Sequence, residues 1–266
     1  MRIARFVHPT SPTAPEGVAW GVVEGPLDAP REELTVAAIA GHPFEAVART
    51  GDRWALPDVR LLAPILPSKV VAIGKNYADH AREMGGEAPA SPVIFLKPST
   101  SVIGDGDAIR LPASSRRVDH EAELAVVIGR PAKDVPAGHA LEHVLGFTAA
   151  NDVTARDQQA ADGQWTRGKG YDSFCPLGPW IETELDPADL RVTARVNGEA
   201  RQDGRTRDLI HSVADVIAFI SAVMTLLPGD VILTGTPAGV GPIVAGDTVE
   251  VTVEGVGTLR NRAINR

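Results

Sequence analysis

Two glutamates spaced two residues apart are where chemistry first shows in this chain. The segment DHEAELAVVIG (119–129) begins polar and continues as a β-prone apolar run. Positions i and i+2 of a strand share a face, so Glu121 and Glu123 point the same way, in line with Ala125 and Val127. Two carboxylates side by side at the start of a buried strand repel each other, and burying either one unpaired is costly. Protons, cationic side chains or a metal ion must neutralise them. A solvated strand edge accounts for E-x-E alone equally well; the apolar continuation brings the metal reading level with it. A third carboxylate, Asp152, follows the apolar stretch in FTAANDVT (147–154). By itself it reads as a turn or helix-cap residue. Three carboxylates together make an all-oxygen set suited to Mg²⁺ or Mn²⁺, with Ca²⁺ a further candidate, and leave coordination positions for water or substrate. His120 beside Glu121 does not begin an HExxH zinc motif, because Leu124 stands where the second histidine belongs.

Other polar groups carry weaker signals. His80 and Glu83 are spaced i, i+3, so on a helix they share a face. A carboxylate beside a histidine orients the ring and suits it to act as a general base; a surface ion pair is the commoner meaning of that spacing. Lys169 lies between Gly168 and Gly170 in RGKGYDSFCPLGP (167–179). Glycines there permit close backbone approach, so the lysine can hold a substrate carboxylate or stabilise an enolate, although most loop lysines are simply solvated. The single cysteine, Cys175, precedes a proline in apolar surroundings and reads as packing. TGTPAGVG (234–241) lacks the GK[ST] ending of a phosphate loop. Its backbone N–H groups and the hydroxyl of Thr234 or Thr236 can hold a carboxylate, or the loop is only a tight turn.

These residues need elements to position them. Strands are expected at 2–7, 18–23, 69–74, 92–98, 121–129, 145–154 and 231–233, with a half-exposed strand at 248–253. A short helix over 76–86 has Asn76 as its N-cap and Gly85–Gly86 as its stop. The clearest helix spans 208–227, with Leu209, Val213, Val216, Ile217, Ile220, Met224 and Leu227 on one face; Ser212 and Asp215 form a capping-box pattern that can move its regular start there. Residues 1–60 read as a small N-terminal β-rich module, 61–68 as a proline-bearing connector, and 69–266 as the larger unit. Strands dominate and do not alternate with helices as βαβ units do, so the fold class is α+β, mainly β.

Composition sets limits on all of this. The chain has 266 residues, enough to bury a sizeable core. A net charge of −8 gives no general attraction to nucleic acid or anionic membrane, which also disfavours a nuclease. No apolar run reaches the roughly 20 residues a bilayer span needs, no signal-peptide pattern opens the chain, and one cysteine rules out an internal disulfide. A cytoplasmic protein is expected.

Taken together, GKNYADHAREMG (74–85), PVIFLKP (92–98), DHEAELAVVIG (119–129), NDVTARDQQ (151–159), RGKGYDSFCPLGP (167–179) and LLPGDVILTGTPAGVG (226–241) resemble the fumarylacetoacetate hydrolase family, from about Lys69 to the C-terminus. The resemblance implies a mixed β-sheet roll with few helices around a central site, usually as a homodimer. It puts the metal on Glu121, Glu123 and Asp152, makes His80 and Glu83 a water-activating dyad and Lys169 a catalytic residue. It sets Arg156 and Gln159 near substrate, and Thr236 at the substrate carboxylate. The implied substrate is a small 2-oxo acid and the implied reaction carbon–carbon cleavage, as an acylpyruvate-type hydrolase or an oxaloacetate decarboxylase. The alternatives are the isomerases and decarboxylases of aromatic catabolism that act on 2-hydroxyhepta-2,4-diene-1,7-dioate or 5-oxopent-3-ene-1,2,5-tricarboxylate. A reading of another class is a non-catalytic, metal-stabilised ligand-binding protein.

Overall fold

The computed structural model describes residues 1–9, 17–27 and 29–266. Among these, the largest sheet has 12 strands. Its main path runs Ala48–Ala55, Thr35–Ala40, Val18–Glu24, Arg2–Val7, Cys175–Glu182, Val144–Asn151, Ala122–Ile128, Val231–Leu233, Val70–Gly74 and Val93–Lys97. Neighbours on that path are antiparallel except Val231–Leu233 beside Val70–Gly74. The N-terminal strands therefore continue the same sheet as the rest of the chain, joined through Ile3 opposite Ile181. The connector is tied in as well: Leu61 pairs with Phe6, and the Leu62 amide donates to the Arg5 carbonyl at 2.8 Å.

The strand Ala122–Ile128 is buried along its whole length, and its period-2 alternation feeds two cores. Leu124, Val126 and Ile128 join the larger core, which takes in Val192, Ala194, Val249, Val251, Val253 and Leu259 from a five-stranded sheet. Thr248–Val253, in that second sheet, alternates buried and half-exposed positions as its sequence predicts. Ala125 and Val127 join the smaller core, with Val70, Ala72, Cys175, Leu177, Val231 and Leu233. Glu123 shares the parity of Ala125, so it continues that second face toward the end of the strand.

Several expectations are corrected. The strand expected over 121–129 is broken at its first residue. Val118–His120 pairs in a separate three-stranded sheet while Ala122–Ile128 lies in the large one, and Glu121 is the joint between them. The helix expected over 208–227 is only Val213–Val223. The Ser212–Asp215 capping box does set its start, and Met224 is already extended. Leu209 leaves the helical face to form a β-bridge with Tyr77, and Leu227 is 46% exposed. The short helix is Ala78–Glu83 with Tyr77 at the N-cap. Asn76 does not cap it: its buried amide accepts from the His211 N–H and donates to the carbonyls of His211 and Thr234. Lys169 is not in an open loop but ends a short helix, Thr166–Lys169, that follows a second helix, Arg156–Asp162. Among the described residues no helix is long and apolar enough to cross a membrane.

Candidate active site

At the break, the Glu121 side chain lines a cavity together with Glu123 and Asp152. The break is held on both sides: Asn151 Oδ1 accepts the Glu121 N–H at 2.9 Å, and the Asp152 N–H donates to the Glu121 carbonyl at 2.8 Å. Glu121 and Asp152 are thus fixed to each other through the backbone, while Glu123 follows on the same strand. Carboxylate oxygens of all three lie within 4.8 Å of one another, and all three residues are almost completely buried.

Three cations contact this cluster unevenly, and a fourth, Arg117, stands behind them on Asp119. Lys169 Nζ donates to Glu121 Oε2 at 2.7 Å and to Asp152 Oδ2 at 2.6 Å. Lys97, 1% exposed, donates to Asp152 Oδ1 at 2.5 Å and to the Val153 carbonyl at 3.2 Å. Arg156 donates to Glu121 Oε1, to Asp119 Oδ2 at 2.9 Å and to Gln159 Oε1 at 3.0 Å. Arg117 pairs with Asp119. Among the described residues, Glu123 accepts only the Gly235 amide, at 2.6 Å, and forms no ion pair. That amide can approach because Gly235 has φ +105° and a Cβ there would lie 2.7 Å from the Asn76 Cβ. Gly168 likewise lets the Lys169 helix press on the preceding one, since a Cβ would meet the Gln159 nitrogen at 2.9 Å.

Proton affinities follow this distribution. Burial would raise the Glu121 carboxyl, but Arg156 and Lys169 outweigh it and hold it below the ordinary range. Burial, and then Asp152 and Glu121, push Glu123 well above it. Lys169 is also desolvated, yet Asp152 and Glu121 keep it firmly cationic. The donor set fits a hard divalent cation: three buried carboxylates converge, and Glu123, which makes no ion pair among the described residues, is the one most reluctant to ionise.

On another wall of the same cavity, His80 Nδ1 lies 3.2 Å from Glu83 Oε2. The Glu83 carboxylate also accepts the Gly239 N–H at 3.1 and 3.2 Å, which ties the short helix to the glycine-rich loop. Thr236, in that loop, donates its hydroxyl to the Ala122 carbonyl at 2.8 Å and accepts from Gln202 Nε2 at 2.7 Å. Its hydroxyl proton is therefore committed to the protein. The cavity, about 650 Å³, is lined by all nine residues singled out from sequence: His80, Glu83, Glu121, Glu123, Asp152, Arg156, Gln159, Lys169 and Thr236. Phe95 and Trp165 supply an aromatic side to it, packed edge to face.

Sequence reasoning missed Lys97, Asp119, Gln202 and Lys75. Lys97 had one visible signal, a charge ending the otherwise apolar run PVIFLKP. Asp119 and Gln202 had none, since their partners lie on other elements. His120 is buried behind the carboxylates, its Nδ1 3.1 Å from Gln202 Oε1.

Residues 69–264 match the family model described as fumarylacetoacetate (FAA) hydrolase C-terminal, and residues 1–64 match the model described as Rv2993c-like, N-terminal. Protein Rv2993c of Mycobacterium tuberculosis is 57% identical, over 100% of this chain and 99% of that protein. The mitochondrial oxaloacetate tautomerase Fahd2a of Rattus norvegicus is 39% identical over 99% of this chain and 92% of its own. Among solved structures, the 2-hydroxyhepta-2,4-diene-1,7-dioate isomerase of Mycobacterium marinum superposes with a TM-score of 0.92 at 55% identity, covering 100% of this chain and 99% of that one.

Proposed function

The chain belongs to the fumarylacetoacetate hydrolase family, and from that premise we propose that it is an enzyme working through the enol form of a small 2-oxo acid, as a keto–enol tautomerase or double-bond isomerase. The observation that carries this reading is the convergence of Glu121, Glu123 and Asp152 beside a cationic Lys169, opposite a His–Glu pair, on one cavity. Glu121, Glu123 and Asp152 would hold a divalent cation, which supplies Lewis acidity to the keto and carboxylate oxygens of the substrate. Lys169 adds a fixed positive charge where an enolate oxygen develops. Glu83 favours the histidine tautomer with its proton on Nδ1, so Nε2 of His80 is free to take a proton and return it at another atom of the substrate. Relatives named tautomerase and isomerase support this reading.

A second reading is carbon–carbon cleavage. The same His80–Glu83 pair, beside a cavity with room for water, is the arrangement a hydrolase of acylpyruvates needs: His80 takes a proton from water and the hydroxide attacks the distal carbonyl. Decarboxylation of oxaloacetate needs the enolate-stabilising groups alone. The decisive assay follows enol–keto exchange of oxaloacetate by ultraviolet absorbance, CO₂ release from it, and acylpyruvate loss, each with Mg²⁺, with Mn²⁺ and after chelation. Exchange accelerated only with metal is expected. Failure to accelerate any of these, together with no isomerisation of a 2-hydroxydienedioate, overturns the proposal.

A further inference from the structure

The cations around the carboxylates are all spent on protein partners. Arg156 is divided between Asp119 and Glu121, Lys169 between Glu121 and Asp152, and Arg117 is held by Asp119. The same cavity has one more basic wall residue, Lys75. It is half-buried and makes no ion pair or hydrogen bond among the described residues. A lysine that gives up part of its hydration without a counter-ion is missing a partner.

The backbone around Lys75 is shaped to put it there. Its φ is +58°, a left-handed conformation that a side chain bearing a Cβ resists. Non-glycine residues held this way concentrate where a side chain must be aimed. The lysine's ammonium lies beside Gly86, where a Cβ would sit 3.0 Å from Lys75 Nζ. On its other side Gly74 passes under Trp165, where a Cβ would lie 2.5 Å from the indole ring. A left-handed backbone at Lys75 sets its side chain on the cavity wall, and among the described residues no carboxylate pairs with its ammonium.

We propose that Lys75 binds a second carboxylate of the substrate, so that the enzyme selects 2-oxo dicarboxylic acids over monocarboxylic ones. This rests on the reading of the site as one for 2-oxo acids: the 2-oxo carboxylate end is directed to Glu121, Glu123, Asp152 and their cation, and Lys75 is the basic group left for the far end. It does not rest on which reaction follows, so binding tests it independently of turnover.

The experiment is calorimetric titration of the full chain, saturated with Mg²⁺, with two pairs of acids of equal carbon number. These are 2-oxoglutarate against 2-oxopentanoate, and oxaloacetate against 2-oxobutanoate. The wild type is expected to prefer the dicarboxylate by roughly tenfold, the worth of one partly buried ion pair. Lys75→Met should erase the preference by weakening the dicarboxylate alone, and Lys75→Arg should keep most of it. Lys75→Gly suits the left-handed backbone and should behave as Lys75→Met, which separates loss of charge from loss of fold. A wild type that binds neither dicarboxylate, a wild type without preference, a preference that survives Lys75→Met and Lys75→Gly, or equal weakening of both acids overturns the proposal. If the binding preference behaves as stated while no 2-oxo acid is turned over, the catalytic reading fails and the assignment of Lys75 stands.

Discussion

At the scale of single residues, the site is an exercise in sharing charge. His80 is the residue whose removal separates reactions. His80→Ala should abolish acylpyruvate hydrolysis and keto–enol exchange but spare decarboxylation, because only the first two need a base at that wall; parallel rate assays on the three substrates check it, and equal loss of all three would remove the division of labour. The convergence of Glu121 and Glu123 is anticipated from strand parity, but the strand breaks at Glu121, and the joint is held by Asn151 and Asp152 instead. The contribution of Lys97 was only half legible: a charge ends the apolar run PVIFLKP, but its partner Asp152 lies 55 positions away, so nothing local says what that charge meets. Cys175 gives a second prediction. Burial pushes its thiol up to about 12, with Asp152 and Glu123 adding to the shift and Lys97 opposing it. Iodoacetamide at about pH 8 should leave the native protein unlabelled and label it once denaturant is added. The folded thiol holds its proton more tightly than the unfolded one, so its contribution to stability is intact below the ordinary thiol range. That contribution is lost as pH climbs through that range toward about 12.

At the scale of elements, short pieces hold the catalytic groups and long-range contacts hold the short pieces. Ala78–Glu83 has 6 residues, far fewer than an isolated helix needs. It survives because Glu83 grips Gly239, Asn76 grips the segment before the longer helix, and Tyr77 bridges Leu209. The same bridge explains why apolar spacing overstated the longer helix: periodicity marks which residues are buried, not whether the chain stays helical to bury them. The capping box, a local hydrogen-bond pattern, marked the true start. Gln202 shows the limit of sequence. From a strand of the five-stranded sheet its amide accepts the Ala122 N–H at 2.9 Å and donates to Thr236 Oγ1 and to the Pro237 carbonyl, both at 2.7 Å. It thereby fixes the glycine-rich loop against the carboxylate strand. Gln202→Leu leaves several buried polar groups unsatisfied and should cost roughly 2–4 kcal/mol, read in a denaturant melt. It should also raise KM more than it lowers kcat, because the loop that shapes the cavity is loosened while the carboxylates keep their own contacts. Gln202→Glu, which keeps the acceptor oxygens, should recover part of the loss; a variant with unchanged KM would show that Gln202 is structural only.

At the scale of the whole molecule, the fold buries a charge cluster that the protein's own lysines and arginines neutralise incompletely. The large sheet carries its strands from Arg2–Val7 to Val231–Leu233 without a break between the N-terminal segment and the rest, so the strand that bears Glu123 belongs to one sheet with the first residues of the chain. A cation bound at Glu121, Glu123 and Asp152 would bind the folded state and not the unfolded one, and must therefore raise the melting temperature. At a concentration of about 100 Kd the gain is about 2.7 kcal/mol, or roughly 5 °C or more for a chain of this length. Thermal melts with Mg²⁺ or Mn²⁺ against chelator should show that shift. Glu123→Gln sharpens the test, because the two states of the protein respond in opposite directions. Without metal, the amide replaces the carboxylate whose charge burial and its neighbours most disfavour, so the variant should melt no lower than the wild type. With metal, a charged ligand is gone and the shift should largely vanish. A wild type indifferent to both metals, or a variant that still gains the full shift, would mean that the carboxylates serve the fold through Lys97, Arg156 and Lys169 alone.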